Sequence, residues 1–343
     1  MVYMPKMEAT SKTNTGEDTS NLNSKFSLVE MSIDTFSKKE EFTEIEKSQI
    51  TSSVSDIIEP LSFSREFIFI DSFFSQNTRV FTSEDALNKY NLFKNSRDGD
   101  QFQTSAALHA QGLALPLLEF EYKYCLAFGK HEYMSVFRFR PPSKEESRLF
   151  NKKVDKYLFC SMERTWYASY YKYRLKFYPN SQDSTNSFEI ILIHHYRNQI
   201  ADTSIYNGTR YRWIHSYSCG LRQGWKYALQ VLDNDKPSLS DGMLPNGEVA
   251  NYNPLLGSNF ANLILPRRIL NNSSFASKVE IGTLLDFKTF LPQPQAKAAI
   301  FQFQDNVPGN IDSITDVSID ALVFLCMSSI IKRVEKDKES SNG

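Results

Sequence analysis

The chain has 343 residues, 41 % of them hydrophobic, which is enough for one large domain or two ordinary ones. Its formal net charge is −1, so no overall basicity points to nucleic acid or to a membrane surface. The four cysteines (Cys125, Cys160, Cys219 and Cys326) have no CxxC spacing, which argues against a zinc site and a disulfide framework and favours a reducing compartment.

The N-terminal residues 1–6 lack the apolar core of a secretory signal, and no apolar run approaches the ~20 residues that span a bilayer. We therefore expect a cytoplasmic protein that is either soluble or peripheral at the plasma membrane.

Residues 1–60 are rich in Ser, Thr, Glu, Lys and Asn, and they hold 6 basic and 11 acidic residues, a net charge of −5. Such a segment buries too little apolar surface to offset chain entropy, so it is predicted to be a disordered tail. Its density of Ser and Thr makes it a candidate for phosphorylation.

A structured domain is predicted from residue 61 onward. Residues 65–71 have the composition of a strand, and residues 83–94 that of a short helix with Ser83 as its N-cap and acids in the first turn. Residues 101–118 are less clearly helical and are bounded by Pro116. The other predicted elements are strands, at residues 120–128, 133–140, 157–162, 166–178, 188–196, 211–216, 225–232, 260–265, 279–290 and 298–304.

One predicted strand combines a core face with a basic face. Residues 171–177 alternate aromatic or aliphatic side chains with Lys172, Arg174 and Lys176, which is typical of a half-buried strand. The surrounding residues 151–230 hold 12 basic and 5 acidic residues, so the basic excess of the domain is centred here. A solvated strand face and a phosphate-binding surface both explain this excess.

Many short strands without a βαβ rhythm indicate an antiparallel barrel or sandwich. The last element decides between them, because residues 318–332 are apolar on nearly every face and must be buried on all sides. At ~1.5 Å per residue this helix spans about 20 Å, roughly the height of a barrel. A helix that caps one sheet is the alternative, but it would have only Asp320, Ser328 and Ser329 for its outer face.

We therefore predict a mainly β fold, a closed antiparallel β-barrel around a buried C-terminal apolar helix. The predicted limits are 1–60 for the tail, 61–338 for a single barrel domain with its helix at 318–332, and 339–343 for a disordered end.

Motifs for metal, nucleotide or covalent chemistry are missing from the sequence. His194 and His195 are adjacent on a predicted strand and point to opposite faces, so no shared metal ion and no cofactor are expected. There is no glycine-rich phosphate loop, no GxSxG turn and no spacing that selects a Ser/His/Asp triad. His215 near Cys219 is better explained as a core histidine than as part of a catalytic pair.

The aromatic strands could in principle stack RNA bases. The glycine-containing motif of an RNA-recognition sheet is missing, however, so no nucleic-acid partner is expected.

Basic residues on or beside neighbouring predicted strands are the remaining candidates. If several cluster across strands they form an anion site, because Arg makes bidentate contacts with phosphate. The candidate lipid- or phosphate-binding residues are Arg164, Lys172, Arg174, Lys176, Arg210, Arg212, Arg222 and Lys226.

The C-terminal stretch resembles the end of the tubby-like superfamily, which includes the tubby, phospholipid scramblase and LURP-one-related proteins. The similarity is carried by residues 298–304 (AAIFQFQ), an acidic linker and the apolar helix at 319–331, and residues 253–260 (NPLLGSNF) resemble a Leu-Gly-Thr-x-Phe turn of that family. The spacing from Gly257 to the helix is shorter than in tubby. The basic run that binds lipid in tubby has no clear counterpart here, so no lipid-binding residue is transferred.

The resemblance implies a barrel of about twelve strands around a central helix and phosphoinositide binding by basic residues on outer strands. We therefore expect a non-enzymatic, peripheral membrane protein that binds anionic phospholipid through a basic strand face. The alternative is a protein-interaction or regulatory scaffold whose tail is a phosphorylation-controlled partner site. An enzyme of unrecognised class is a third hypothesis.

Overall fold

Within the part of the chain that the structure describes, twelve antiparallel strands close into one barrel. The computed structural model describes residues 64–72, 77–94, 99–123, 131–142, 150–167, 170–180, 184–195, 200–216, 225–243, 279–287, 295–305 and 307–341. The predicted tail at 1–60 and the strand predicted at 260–265 lie outside these residues.

The strands follow one another around the barrel in chain order. They are β1 (Ser64–Ser72), β2 (Thr78–Phe81), β3 (Leu118–Tyr122), β4 (His131–Phe139), β5 (Lys156–Trp166), β6 (Tyr170–Phe177), β7 (Phe188–His195), β8 (Ile200–Thr203), β9 (Arg210–Ser216), β10 (Trp225–Leu232), β11 (Glu280–Asp286) and β12 (Gln295–Gln304). Each strand pairs with its neighbours in sequence, and β1 pairs with β12 to close the circle. The predicted closed antiparallel barrel is therefore confirmed.

Several strand limits differ from the sequence-based expectation: the strand expected at 120–128 is observed at 118–122, and the strand expected at 298–304 begins at residue 295. The four-residue strands β2 and β8 were not predicted, because so short a segment shows no usable alternation. The sequence had predicted that one strand ends at residue 162 and the next begins at residue 166. In the structure β5 continues to Trp166, and the Tyr167 amide donates to the Tyr170 carbonyl where β5 is followed by β6. The polar residues 163–165 are half-exposed, so they keep their contact with water inside a strand.

Two helices connect β2 to β3. The first, α1 (Glu84–Phe93), begins at the predicted N-cap: the Ser83 hydroxyl accepts a hydrogen bond from the Ala86 amide at 3.0 Å. It packs Leu87 and Tyr90 on the outer face of β1 and β2. The second is α2 (Asp100–Ala110), which covers the first part of the range 101–118 where the sequence indicated a helix less clearly.

The C-terminal helix, α3 (Ile319–Ser341), starts where it was predicted and runs further. Ser318 caps it, since the Ala321 amide donates to the Ser318 hydroxyl at 2.9 Å. The apolar face continues to Val334, which is buried, and the Lys and Glu residues beyond it are good helix formers, so the helix passes the predicted end at residue 332. It includes residues 339–341, where a disordered end had been expected.

Contacts on opposite sides show that α3 runs through the barrel. The Phe324 ring packs 4.8 Å from Tyr211 on β9 and 5.2 Å from Phe303 on β12, measured between ring centroids. One turn and a half later, the Ser329 hydroxyl lies 3.5 Å from the Met134 sulfur on β4. Every residue from 321 to 332 is buried, as a helix enclosed by a wall of strands requires.

Charged side chains mark the point where α3 leaves the barrel. The Lys332 ammonium donates to Asp71 on β1 at 2.9 Å, and the Arg333 guanidinium lies 4.8 Å from the centre of the Tyr122 ring on β3. Burial opposes the charge on Lys332, but Asp71, Tyr122 and Asp286 together outweigh burial, and the pKa of this lysine is raised. Among the described residues, no helix combines the length and the apolar character needed to cross a bilayer.

Candidate functional site

Strand β6 carries three cations on its outer face. Tyr173, Leu175 and Phe177 point into the core, so by alternation Lys172, Arg174 and Lys176 point outward. We call Lys172, Arg174 and Lys176 the β6 basic strip. Its members differ in accessibility: Lys172 is 7 % exposed, the Arg174 side chain is 33 % exposed and Lys176 is half-buried.

The surroundings of the β6 basic strip are mixed in charge. Arg174 lies directly opposite Glu163 on β5, and its Nε is 4.0 Å from the Glu189 carboxylate on β7. The Lys176 ammonium lies 5.6 Å from the centre of the Tyr178 ring. Among the described residues of β5, β6 and β7, three outward cations therefore lie next to two carboxylates, a modest local excess of positive charge.

The aromatic ring of Tyr167 partly covers the Lys172 end of the β6 basic strip. The Lys172 ammonium lies 5.7 Å from the centre of the Tyr167 ring, and Tyr167 stacks on Tyr170 at 4.5 Å. Lys172 thus contributes its charge from beneath aromatic groups, while Arg174 and Lys176 reach the solvent more directly.

The structure places two predicted site residues, Arg210 and Arg212, in structural ion pairs away from the strip. Arg212 is 1 % exposed and makes a bidentate contact with Asp202, with both N–O distances at 2.7 Å. Burial opposes its charge, but Asp202 and, to a smaller extent, Asp241 together outweigh burial and raise the pKa of the guanidinium. Arg210 donates to Asp241 at 2.5 Å.

These two arginines hold a segment of chain against the barrel wall. Arg212 also donates to the Pro237 carbonyl at 2.8 Å, and Asp202 accepts from the Leu239 amide at 2.7 Å. Residues 233–243 are thereby fixed on the outer face of the strands, with Leu239 buried against Ile193. The positive charges of Arg210 and Arg212 are therefore balanced by Asp241 and Asp202 within the fold.

Arg164 faces the inside of the barrel. Its Nε lies 3.3 Å from the His131 Nε2, and its guanidinium lies 4.7 Å from the Tyr133 ring centre and 5.4 Å from that of Tyr171. Adjacent positions on β5 alternate faces, so Arg164 cannot join the outward strip on β6.

The last two candidates do not extend the strip. Lys226 points outward on β10, where it is half-buried opposite Ser216, and four strand steps separate β10 from β6. Arg222 lies outside the described residues. Of the eight candidates, the structure brings together Lys172, Arg174 and Lys176.

A serine and a histidine on the buried face of α2 lie near an aspartate that precedes β5, and no sequence motif had linked the three. The Ser105 hydroxyl is 3.5 Å from the His109 Nε2, and Asp155 acts on His109 through its charge. Burial lowers the pKa of His109 to about 4, and Asp155 offsets this only in part. Ser105 is 0 % exposed, so a substrate has no access to its hydroxyl.

The histidine pair behaves as its spacing predicts. His194 lies opposite Tyr171 and Ala201 on the inner face, whereas His195 lies opposite Ile200 on the outer face. Within the described ranges, no group of three His, Cys, Asp or Glu side chains is placed to hold a metal ion.

Comparison with known proteins gives one result. The family model described as DIA1 matches residues 62–340, which include all twelve strands and nearly all of α3. No curated protein and no solved structure matches the chain. Because the match extends over most of the sequence, the chain belongs to the DIA1 family.

Proposed function

We propose that this protein is a non-enzymatic, peripheral membrane protein that binds the phosphate groups of anionic phospholipids, phosphoinositides among them, through the β6 basic strip. The observation that carries the proposal is the placement of Lys172, Arg174 and Lys176 on one outward face of a single strand. Alternate residues of a strand stand about 6.7 Å apart, so one headgroup with several phosphates can contact two of these cations.

The architecture adds support at the level of the fold. A closed barrel around a central helix is also what the resemblance to the tubby-like superfamily implies. A rigid barrel wall also suits a surface site, because the core residues Tyr173, Leu175 and Phe177 fix the strand that carries the cations.

Flotation of the protein with vesicles tests the proposal. Vesicles of phosphatidylcholine with a phosphoinositide are expected to carry the protein, and vesicles of phosphatidylcholine alone are not. Each cation near a membrane surface contributes roughly 1 kcal/mol, so the double charge reversal Arg174→Glu and Lys176→Glu should weaken binding by about 30-fold or more. Raising the salt concentration should weaken it further.

A matched control reverses the charge of two other basic residues, so that the net charge of the protein changes by the same amount. Lys94 and Lys153 are exposed positions away from β6, and Lys94→Glu with Lys153→Glu should leave binding within about twofold of the original protein. Equal losses in both double variants would mean that net charge alone drives binding. Binding that survives the reversal at Arg174 and Lys176 would refute the role of the strip.

A second candidate, a protein-interaction scaffold, is favoured by the mixed charge of the same face. Glu163 and Glu189 flank the cations, and alternating charge fits a complementary protein surface better than a uniformly anionic bilayer. This candidate predicts no flotation with either vesicle and a partner in pull-downs that is lost on charge reversal at Arg174 and Lys176. The tail at 1–60, the other expected partner site, lies outside the described residues.

A further inference from the structure

The rim of the barrel carries an exposed tryptophan. Trp166 is the last residue of β5 and is 47 % exposed, and within the described ranges it is the only exposed aromatic side chain. The other two tryptophans are less accessible, because Trp213 is 0 % exposed and Trp225 is half-buried with its ring 4.8 Å from that of His215. Tryptophan is on average a highly buried residue, so a half-exposed ring at the rim points to a contact outside the chain.

The strand register places Trp166 beside the first cation of the β6 basic strip. Trp166 lies opposite Tyr171, which precedes Lys172 on β6. Tyr167, the residue after Trp166, stacks on Tyr170 with ring centroids 4.5 Å apart, and its ring centre is 5.7 Å from the Lys172 ammonium. Aromatic rings and a cation therefore lie side by side at this end of the barrel.

The cations of the strip lie at increasing distances from the rim. Arg174 follows Tyr171, the register partner of Trp166, by three residues, and Lys176 follows it by five. With a rise of about 3.3 Å per residue and a strand tilt of about 40°, Arg174 is roughly 8 Å and Lys176 roughly 13 Å from the level of Trp166. The headgroup layer on one side of a bilayer is about 5–8 Å thick. A Trp166 ring at its inner boundary therefore places Lys172 and Arg174 at the headgroups and Lys176 beyond them.

The charges next to this part of the rim fit an anionic surface. At the adjoining ends of β3 and β4, the Lys123 ammonium is 3.8 Å from the Glu132 carboxylate, so this pair adds no net charge. Glu163 lies opposite Arg174 and is three residues further from the rim than Trp166. Tryptophan and tyrosine rings at headgroup level, with basic side chains reaching the phosphates, are typical of the membrane–water interface.

We propose that Trp166 is the membrane anchor of this protein: its ring inserts between the lipid headgroups, while Lys172 and Arg174 bind the phosphates around it. The inference rests on the proposed lipid binding and adds which end of the barrel meets the bilayer. The rim supplies the apolar contact, and the β6 basic strip supplies the preference for anionic lipid. Lys176 contributes less than Arg174, because the attraction of the surface falls off within a Debye length of about 8–10 Å.

The experiment uses the full chain and vesicles of phosphatidylcholine with a phosphoinositide, prepared with and without phosphatidylcholine brominated near the headgroup end of its acyl chains. On binding, tryptophan emission should shift to shorter wavelength and be quenched by the brominated lipid, and Trp166→Phe should remove both changes. Trp166→Ala should weaken vesicle binding roughly tenfold, because about half of the side chain leaves water on insertion. Arg174→Glu should weaken it about threefold more than Lys176→Glu.

Leu158 provides a matched control on the same strand. It is 38 % exposed and lies eight residues before Trp166, so Leu158→Ala should leave vesicle binding within about twofold of the original protein. Vesicle binding with unquenched tryptophan emission, or with an affinity that Trp166→Ala does not change, would refute the anchor and leave the β6 basic strip as the lipid site. No vesicle binding at all would refute the proposed function and the anchor together. A protein partner lost in Trp166→Ala, without vesicle binding, would overturn the anchor and assign the rim to the scaffold candidate.

Discussion

Residues of the same type have different roles here because some face the barrel interior, some face the solvent, and some face outward but are covered by another segment of the chain. Arg174 faces outward and is one-third exposed, Arg212 is buried against Asp202, and Arg164 faces the barrel interior between two tyrosine rings. The surface charge of the protein is therefore smaller than its sequence suggests. Only cations whose charge is not already neutralised within the fold can attract an external anion at full strength.

A histidine provides the pH-dependent prediction at this scale. The folded pKa of His109 is about 4, below the ordinary value of 6.5, so between these limits the unfolded chain binds a proton that the folded chain does not. Stability should fall as the pH drops through this window, by about 3 kcal/mol in total. Below pH 4 this contribution stays lost.

Urea unfolding of the original protein and of His109→Gln, at a series of pH values from 7 to 4, measures the effect. The difference in unfolding free energy between the two should change with pH across the window, because the variant lacks the titrating group. Two parallel curves would show that His109 does not carry the pH dependence.

At the scale of elements, α3 and α1 illustrate two ways in which a helix can be held. α3 is enclosed, and its Phe324 packs against rings from β9 and β12. α1 lies on the outside of the wall and buries one face with Leu87 and Tyr90, while Leu92 is 68 % exposed. Large apolar side chains therefore contribute more to the stability of the fold where they are enclosed, as in α3, than where they face water, as Leu92 does in α1.

Paired substitutions test this difference. Phe324→Ala should destabilise the protein by about 3–5 kcal/mol, because it leaves a cavity between the helix and the wall. Leu92→Ala should change stability by less than about 0.5 kcal/mol, because the side chain is already in water. Denaturant unfolding monitored by circular dichroism gives both values. Similar values for the two would contradict the enclosure of α3.

For the whole molecule, closure depends on the two ends of the described chain. β1 pairs with β12, and the Arg65 side chain on β1 reaches Asp305 at 3.3 Å and the Asp316 carbonyl on the approach to α3. The main core cluster contains residues of the strands together with those of the helix. Among the described residues, the interior of the barrel therefore shares one core with α3.

Truncation tests that dependence. A chain ending at Val317 should lose cooperative unfolding and bind a dye that reports exposed apolar surface, because the lumen would lose its filling. A chain ending at Val334 retains every helix residue from 321 to 334 that the core uses and should still unfold in one transition. A cooperative transition in the shorter chain would show that the strands fold without the helix.

The sequence by itself determined the class of fold, because local patterns carry that information. Alternation in β6 predicted which residues face the core, Ser83 predicted the start of α1, and the apolar run at 318–332 required a helix hidden on all sides. These patterns repeat every two to four residues, so they can be recognised in the sequence without any information on distant contacts. The DIA1 match adds the family and leaves the function to experiment.

Only the tertiary structure decided which distant residues meet. The partners of Arg212 at Asp202, of Lys332 at Asp71 and of Arg65 at Asp305 follow from the order of strands around the barrel and from the rotation of α3 within it. No local pattern encodes these, since they depend on the packing of surfaces far apart in the chain. Of the seven candidate cations that the structure describes, the same packing brings three together on one outward face of β6.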